Sequence, residues 1–311
     1  MTYLSFQRMF QAHLQRAPYS SICPTQVYQS WVVDRAGSSN SRDILAHHIQ
    51  SIPVSKTKRS AVVVYQSPIA LKLQQTVHWP CQKIAQNLKD WLLNARLTPA
   101  NAPLFHQPLI SVINGIWPYI KIEVLANGWL QFCCSNQGLE QWCSHFERIS
   151  SQQSISKLTK DDLPIRFPQY IPQIDAFQIT PETSFRLQYN YARCHALTNR
   201  IQPLVESSLR SPQTEPAQSR FRLSNQAEQD LLHSVIELAD SCFSGQSLPS
   251  ARHFEQQLLK LSHGSEQLCR QYACIQNDGR RYVYLKLLLA AQAVLEHCLT
   301  AVLRIAAPTR L

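Results

Sequence analysis

Arg186, Arg193 and Arg200 recur every seven residues, with Tyr189 and Asn190 between the first two. A guanidinium grips phosphate oxygens, a phenol stacks on an unpaired base and an amide reads a base edge. That set suits holding single-stranded nucleic acid rather than making or breaking bonds. A second set, Asn127, Trp129 and Gln131, offers one ring to stack and two amides to hydrogen-bond. Arg280 and Arg281, beside a turn, add a further place to hold a phosphate. The plainer alternative is structural throughout: a packed Tyr189 phenol, an Arg193 ion pair within the fold, a core Trp129, and solvated arginines elsewhere.

Bond-making chemistry has no comparable support. The chain lacks GxGxxG, a glycine-rich phosphate loop with Lys, HExxH and GxSxG. His47 and His48 lie beside Asp43 in a loop, and Asp161-Asp162 has no evident partner. Cys194 and His195 are adjacent on a helix, so their side chains diverge and cannot pair as nucleophile and base. His263, Cys269 and Cys274 match no common zinc spacing. No cofactor and no metal are expected.

The elements that would position these residues follow from periodicity. Residues 184–202 read as a helix with Leu187, Tyr191, Cys194, Thr198 and Ile201 on one face. Ser184 caps its start, and Pro203 stops it. Upstream, residues 3–14 read as a short amphipathic helix with Arg8 and His13 on its polar side. Residues 61–65 read as a strand, and 69–77 and 80–93 as helices, with Pro80 at the first position of the latter. Residues 109–113 and 119–125 read as strands. Asn127-Gly128 makes a two-residue hairpin turn into a return strand, 129–134. On that strand Trp129, Gln131 and Cys133 share one face, and Leu130, Phe132 and Cys134 the other. A short helix, 138–146, closes the first domain. Beyond 184–202, Asn225 and Glu228 form a capping box ahead of Leu231, Leu232, Val235, Leu238 and Ala239. Ser250 opens a helix carrying Phe254, Leu258, Leu261, Leu268 and Tyr272. Asn277-Asp278-Gly279 turns the chain into a last helix, 281–305. The expected fold is an α+β N-terminal domain with a small antiparallel sheet, then an all-α helical bundle. Residues 1–147 form the first domain, 148–183 a Ser/Gln/Pro-rich linker and 184–311 the bundle.

The 311 residues carry a net charge of +10. Residues 1–150 contribute +7 and residues 151–311 contribute +3, so a polyanionic partner fits both halves. The ten cysteines sit inside apolar patterns, with no CxxC pair. Reduced thiols and a cytoplasmic location are therefore expected. No stretch reads as a signal peptide or a membrane span, and no membrane partner is expected.

The run Gln188-Tyr189-Asn190-Tyr191-Ala192-Arg193-Cys194, followed by Leu197, resembles the QYAHAR-type helix that opens the DALR anticodon-binding domain of arginyl-tRNA synthetases. Residues 305–311, Ile-Ala-Ala-Pro-Thr-Arg-Leu, are similar to that family's I-x-A-P-x-R-hydrophobe. In the first half, Phe6-Gln7-Arg8 to Leu14 resembles the family's first helix. Tyr65-Gln66-Ser67, Ala70-Leu71, Leu73, Pro80 and Ile84-Ala85 resemble its N-terminal additional domain, as does Asn127-Gly128-Trp129-Leu130-Gln131-Phe132. Insertions around Gly37 and residues 99–108 depart from the family. The resemblance implies that the last of these strands helps read a base in the tRNA D-loop, with Trp129 and Gln131 on its exposed face. It also implies an RNA-facing helix carrying Arg186, Tyr189, Asn190, Arg193 and Arg200. The catalytic domain that lies between these parts in the family is missing, together with its HIGH and KMSKS signatures.

The resemblance therefore implies a non-catalytic arginyl-tRNA synthetase paralogue that binds tRNA by its anticodon side and D-loop corner. Its partner would be tRNA (tRNA-Arg if the family's specificity is kept), with a synthetase or other protein as a further one. Escorting tRNA, modulating a synthetase or sensing uncharged tRNA are the roles it would serve. Two alternatives stand: a protein-interaction scaffold that reuses the bundle without RNA, or the tRNA-binding half of a split arginine-tRNA ligase.

Overall fold

The computed structural model describes residues 4–14, 53–57, 63–77, 79–98, 107–156, 179–209, 221–243, 249–272, 275 and 278–309. The chain divides into two compact units, Leu4–Leu139 and Glu140–Leu311. Most of the expected linker, residues 157–178, lies outside the described residues, as do His47, His48, Asp161, Asp162 and Cys274.

The first unit is α+β. Helix α1 (Phe6–Leu14) places Phe6 and Phe10 one turn apart on its buried face. They meet a four-stranded antiparallel sheet of order β1-β2-β4-β3: β1 (Ser55–Lys56), β2 (Val64–Ser67), β3 (Ile120–Val124) and β4 (Leu130–Cys134). Register sets Tyr65 opposite Phe132, and Phe132 opposite Ile122. The Phe10 ring lies 4.6 Å from Phe132 and 5.1 Å from Tyr65, with Trp117 completing the cluster. Burying these aromatic rings against one sheet face stabilises this unit. His13, expected on the polar side of α1, is sealed in this core instead. Its imidazole stacks on the Trp117 indole at 3.5 Å.

Helices α2 (Ile69–Val77) and α3 (Cys81–Asn94) follow β2, with Pro80 at the cap of α3 rather than inside it. Residues 109–113 are not a strand. They belong to helix α4 (Gln107–Ile116), which runs into a 3₁₀ turn, Trp117–Tyr119. A short apolar run fits either element; here Leu109, Ile110, Ile113 and Ile116 share one buried face at helical spacing. Asn114 on α4 fixes the chain after α3, accepting from the Leu97 N–H at 3.0 Å and donating to the Leu97 carbonyl at 2.8 Å.

The hairpin between β3 and β4 is a three-residue loop, not the two-residue turn expected from Asn127-Gly128. The Gly128 N–H donates to the Leu125 carbonyl and the Leu125 N–H to the Trp129 carbonyl. Within the loop, Gly128 takes the positive φ, 79°. This is a type I turn closed by a glycine bulge, which matches the twist of the strands. The closing helix is also longer than expected: α5 spans Asn136–Ser156 and crosses the division between the units.

The second unit is all helix. It comprises the later part of α5, then α6 (Pro181–Leu209), α7 (Gln226–Phe243), α8 (Ala251–Gln271) and α9 (Asp278–His297), which ends in a π turn, Cys298–Val302. Within this unit Tyr282 donates to Glu140 of α5, and Lys286 pairs with Glu147 of the same helix. Contrary to the sequence reading, residues Gly279–Val302 are long and apolar enough to cross a membrane by length and composition. They form the central helix of the bundle, buried almost all round from Val283 to Leu295. A helix apolar on every side is what a bundle core requires. The capping box opens α7 as expected: the Asn225 Oδ1 accepts from the Glu228 N–H at 2.8 Å, and Glu228 reaches back to the Ser224 and Asn225 N–H groups.

The helical assignment of α4 and the hairpin turn together predict opposite outcomes at two glycines. An alanine side chain at Gly115 meets nothing within 4 Å, so Gly115→Ala should raise unfolding free energy by about 0.5–1 kcal/mol. At Gly128 the φ is positive and a Cβ would stand 2.7 Å from the Cys81 Sγ, so Gly128→Ala should lower it by at least about 1 kcal/mol. Urea denaturation of the two variants checks both signs. In the second unit, burial depresses His297 from 6.5 to about 4. The unfolded chain then binds a proton that the folded chain refuses between those values. Stability should therefore fall as pH drops from about 6.5 to about 4, by on the order of 1–3 kcal/mol. His297→Gln should flatten that part of the profile in thermal melts.

Candidate nucleic-acid interface

Helix α6 is where the guanidinium and aromatic groups collect. Thr180 rather than Ser184 caps it: the Thr180 Oγ1 accepts from the Thr183 N–H at 3.2 Å, and Pro181 follows at the first helical position. The Thr183 hydroxyl donates to Glu255 of α8 at 3.1 Å. Leu187, Tyr191, Cys194, Thr198 and Ile201 are all buried, as their spacing predicts. Pro203 does not stop the helix, which runs six residues further to Leu209. Pro203 is exposed, while Ile201 and Val205 on either side of it are buried. Their burial offsets the roughly 3 kcal/mol that an internal proline costs.

The opposite face carries the ridge. Phe185 is 62% exposed and Tyr189 43% exposed, with ring centroids 6.4 Å apart and planes 27° from parallel. Arg186 and Arg200 are exposed. Arg193 is half-exposed and stands 4.0 Å from Glu266 of α8, whose carboxylate is held more closely by Arg270 at 2.6 Å. Ion pairs this open contribute about 1 kcal/mol or less. The Arg193 guanidinium can exchange its partner for a phosphate at little cost.

Asn190 does not belong to this ridge. It is 2% exposed, and its amide donates to the Ser262 hydroxyl on α8. It lies three residues after Leu187 and four before Cys194, so it falls on the buried stripe. Phe185 is the member that sequence reasoning missed. Its position four residues before Tyr189 was the available signal, obscured because a phenylalanine near a helix start reads as core.

Arg280 and Arg281 sit at the start of α9, and neither joins the ridge. The Arg280 guanidinium is 2.7 Å from Glu228, so it completes the cap of α7. Arg281 donates to the Ile275 carbonyl at 3.4 Å.

In the first unit the alternation along β4 places Leu130, Phe132 and Cys134 in the core and leaves Trp129, Gln131 and Cys133 half-buried. Asn127 is exposed at the turn, and its Oδ1 accepts from the Trp129 N–H at 3.1 Å. Gln131 lies in a cross-strand row. Its carbonyl accepts from Gln66 at 2.9 Å, and its amide donates to Glu123 at 3.2 Å. Glu123 also meets Lys121 at 2.6 Å, a hydrogen bond that holds the carboxyl below its usual range and raises the ammonium. On this face the Lys121 charge is therefore paired with Glu123. Both donor hydrogens of Gln131 are already used, toward Glu123 and the Cys133 sulfur, so a base could take its amide N–H groups only by displacing one of them.

Among the described residues, no group of three or more His, Cys, Asp and Glu side chains converges as metal ligands would.

These geometries separate stability from binding. Asn190→Ala should lower unfolding free energy by about 1–2 kcal/mol through the lost buried hydrogen bond, whereas Arg186→Ala should leave it within about 0.5 kcal/mol. Chemical denaturation of the two variants checks the contrast. A comparison with protein-family models, with curated proteins and with solved structures finds no match for this chain.

Proposed function

We propose that this protein binds tRNA without charging it, as a non-catalytic relative of arginyl-tRNA synthetases acting in the cytoplasm. In this reading the bundle corresponds to a DALR anticodon-binding domain and the first unit to the family's N-terminal additional domain. The observation that carries it is the exposed Phe185–Tyr189 pair with Arg186, Arg193 and Arg200 along one face of α6. Two rings of this kind, left open to water, suit two unpaired bases of an anticodon loop, and flanking guanidinium groups suit their phosphates. The net charge of +10 favours the approach of any polyanion.

On the D-loop corner the support is narrower. Trp129 leads β4 from a turn locked by Asn127 and Gly128, so its indole is the group positioned to stack. Catalysis has no carrier in this reading, because the ATP and arginine sites of the family belong to the domain that this chain lacks. The role left is to hold tRNA, for escort or to modulate a synthetase.

A filter-binding assay with total tRNA tests the reading. Capture is expected at about 50 mM salt and should fall steeply by 200 mM. Phe185→Ala and Tyr189→Ala should each weaken it roughly tenfold, within the ~1–3 kcal/mol that a base–aromatic stack contributes. Arg186→Ala and Arg193→Ala should each reduce the salt slope by about one. No capture at low salt removes the proposal, and arginine charging by this chain alone would contradict its non-catalytic part.

A further inference from the structure

Two thiols in the bundle face each other across elements that the RNA reading does not use. Cys242 lies in the last turn of α7 and is half-buried; Cys298 opens the π turn after α9 and is sealed. Their sulfurs are 3.7 Å apart. We propose that Cys242 and Cys298 are a thiol–disulfide modification site, oxidised by a small disulfide to a bond that ties the end of α7 to the π turn.

The geometry assigns the order of events. A covalent S–S bond is about 2.05 Å long, so forming it from the 3.7 Å contact needs the two sulfurs to close by side-chain rotation. Cys242 is the thiol that solvent reaches, so it attacks first. Burial, with the Cys242 sulfur beside it, pushes the Cys298 thiol well above its usual value, which keeps it protonated until a mixed disulfide forms next to it. With oxidised glutathione as the oxidant, the Cys242 thiolate forms a bond to one glutathione sulfur and the other leaves as a thiolate. That thiolate, or water, takes the Cys298 proton. The Cys298 thiolate then attacks the Cys242 sulfur, and the second glutathione leaves as a thiolate that takes up the proton Cys242 had released to water. Two protein thiols are oxidised and one disulfide is reduced.

The bond would join positions 56 residues apart and enclose α8 and α9. A cross-link over so long a loop restricts the unfolded chain, so oxidation should stabilise the bundle. This inference does not rest on RNA binding, and its test leaves that reading untouched.

The full-length chain, reduced and then treated with oxidised glutathione, is blocked with iodoacetamide and digested with trypsin without reductant. A linked pair of peptides, residues 223–252 and 287–304, is expected, with the loss of two free thiols. The thermal midpoint should rise by on the order of 5 °C. Cys143, sealed in α5 with its thiol pushed up to about 12 by burial, should stay unmodified as an internal reference. Cys242→Ser should abolish both the linked pair and the shift in midpoint. Cys298→Ala should leave glutathione trapped on Cys242. Wild-type protein that becomes fully glutathionylated at Cys242 without forming the linked pair would overturn the proposal. So would a link that forms only in urea.

Discussion

The candidate interface depends on one constraint: helix α6 can bury only one face. At 3.6 residues per turn, sealing Leu187, Tyr191, Cys194, Thr198 and Ile201 against the bundle forces Phe185, Arg186, Tyr189, Arg193 and Arg200 outward. The guanidinium and aromatic groups become a ridge because the apolar stripe beneath them has somewhere to go. The same constraint removes Asn190 from the ridge, since its place between Leu187 and Cys194 is inside.

Polar contacts then decide how the helices sit along one another. Thr183 meets Glu255, Asn190 meets Ser262 and Arg193 approaches Glu266. Three contacts in the same order along both helices mean that α6 and α8 run parallel. On the other side of α6, the Thr198 hydroxyl donates to Gln292 of α9 at 3.1 Å. Apolar side chains alone would tolerate a shift of one turn; the buried Asn190–Ser262 and Thr198–Gln292 hydrogen bonds would not, because a buried polar group without a partner costs about 1–3 kcal/mol. Glu228 works in the same way at the start of α7, where one sealed carboxylate serves the cap and the Arg280 guanidinium.

The two units treat charge differently. On the sheet of the first unit, Lys121, Glu123, Gln131 and Gln66 satisfy one another along the strands. On α6 the two rings, Arg186 and Arg200 face water, and Arg193 has only the open contact to Glu266. A phosphate approaching the sheet displaces existing bonds, whereas one approaching α6 meets groups already turned outward. The basic character of the chain is therefore distributed unevenly: several cations stabilise the fold, and those on α6 stay open to solvent.

Much of the local structure was legible in the sequence. The buried stripe of α6, the alternation of β4, the capping box of α7 and the placement of α2 each follow from spacing and short-range chemistry. Residues 109–113 were ambiguous because four apolar residues fit a strand or a helix, and only packing of Leu109, Ile110, Ile113 and Ile116 on one side decides. Pro203 and the Asn127-Gly128 turn misled for a related reason: local preference was outweighed by burial of Ile201 and Val205 in one case and by a bulge at Gly128 in the other. Periodicity by itself determined which residues of this chain could share a face. The tertiary structure alone decided which of them reach solvent, that Phe185 does and Asn190 does not, and that Cys242 meets Cys298. Those facts depend on neighbours distant in the chain, which no local pattern records.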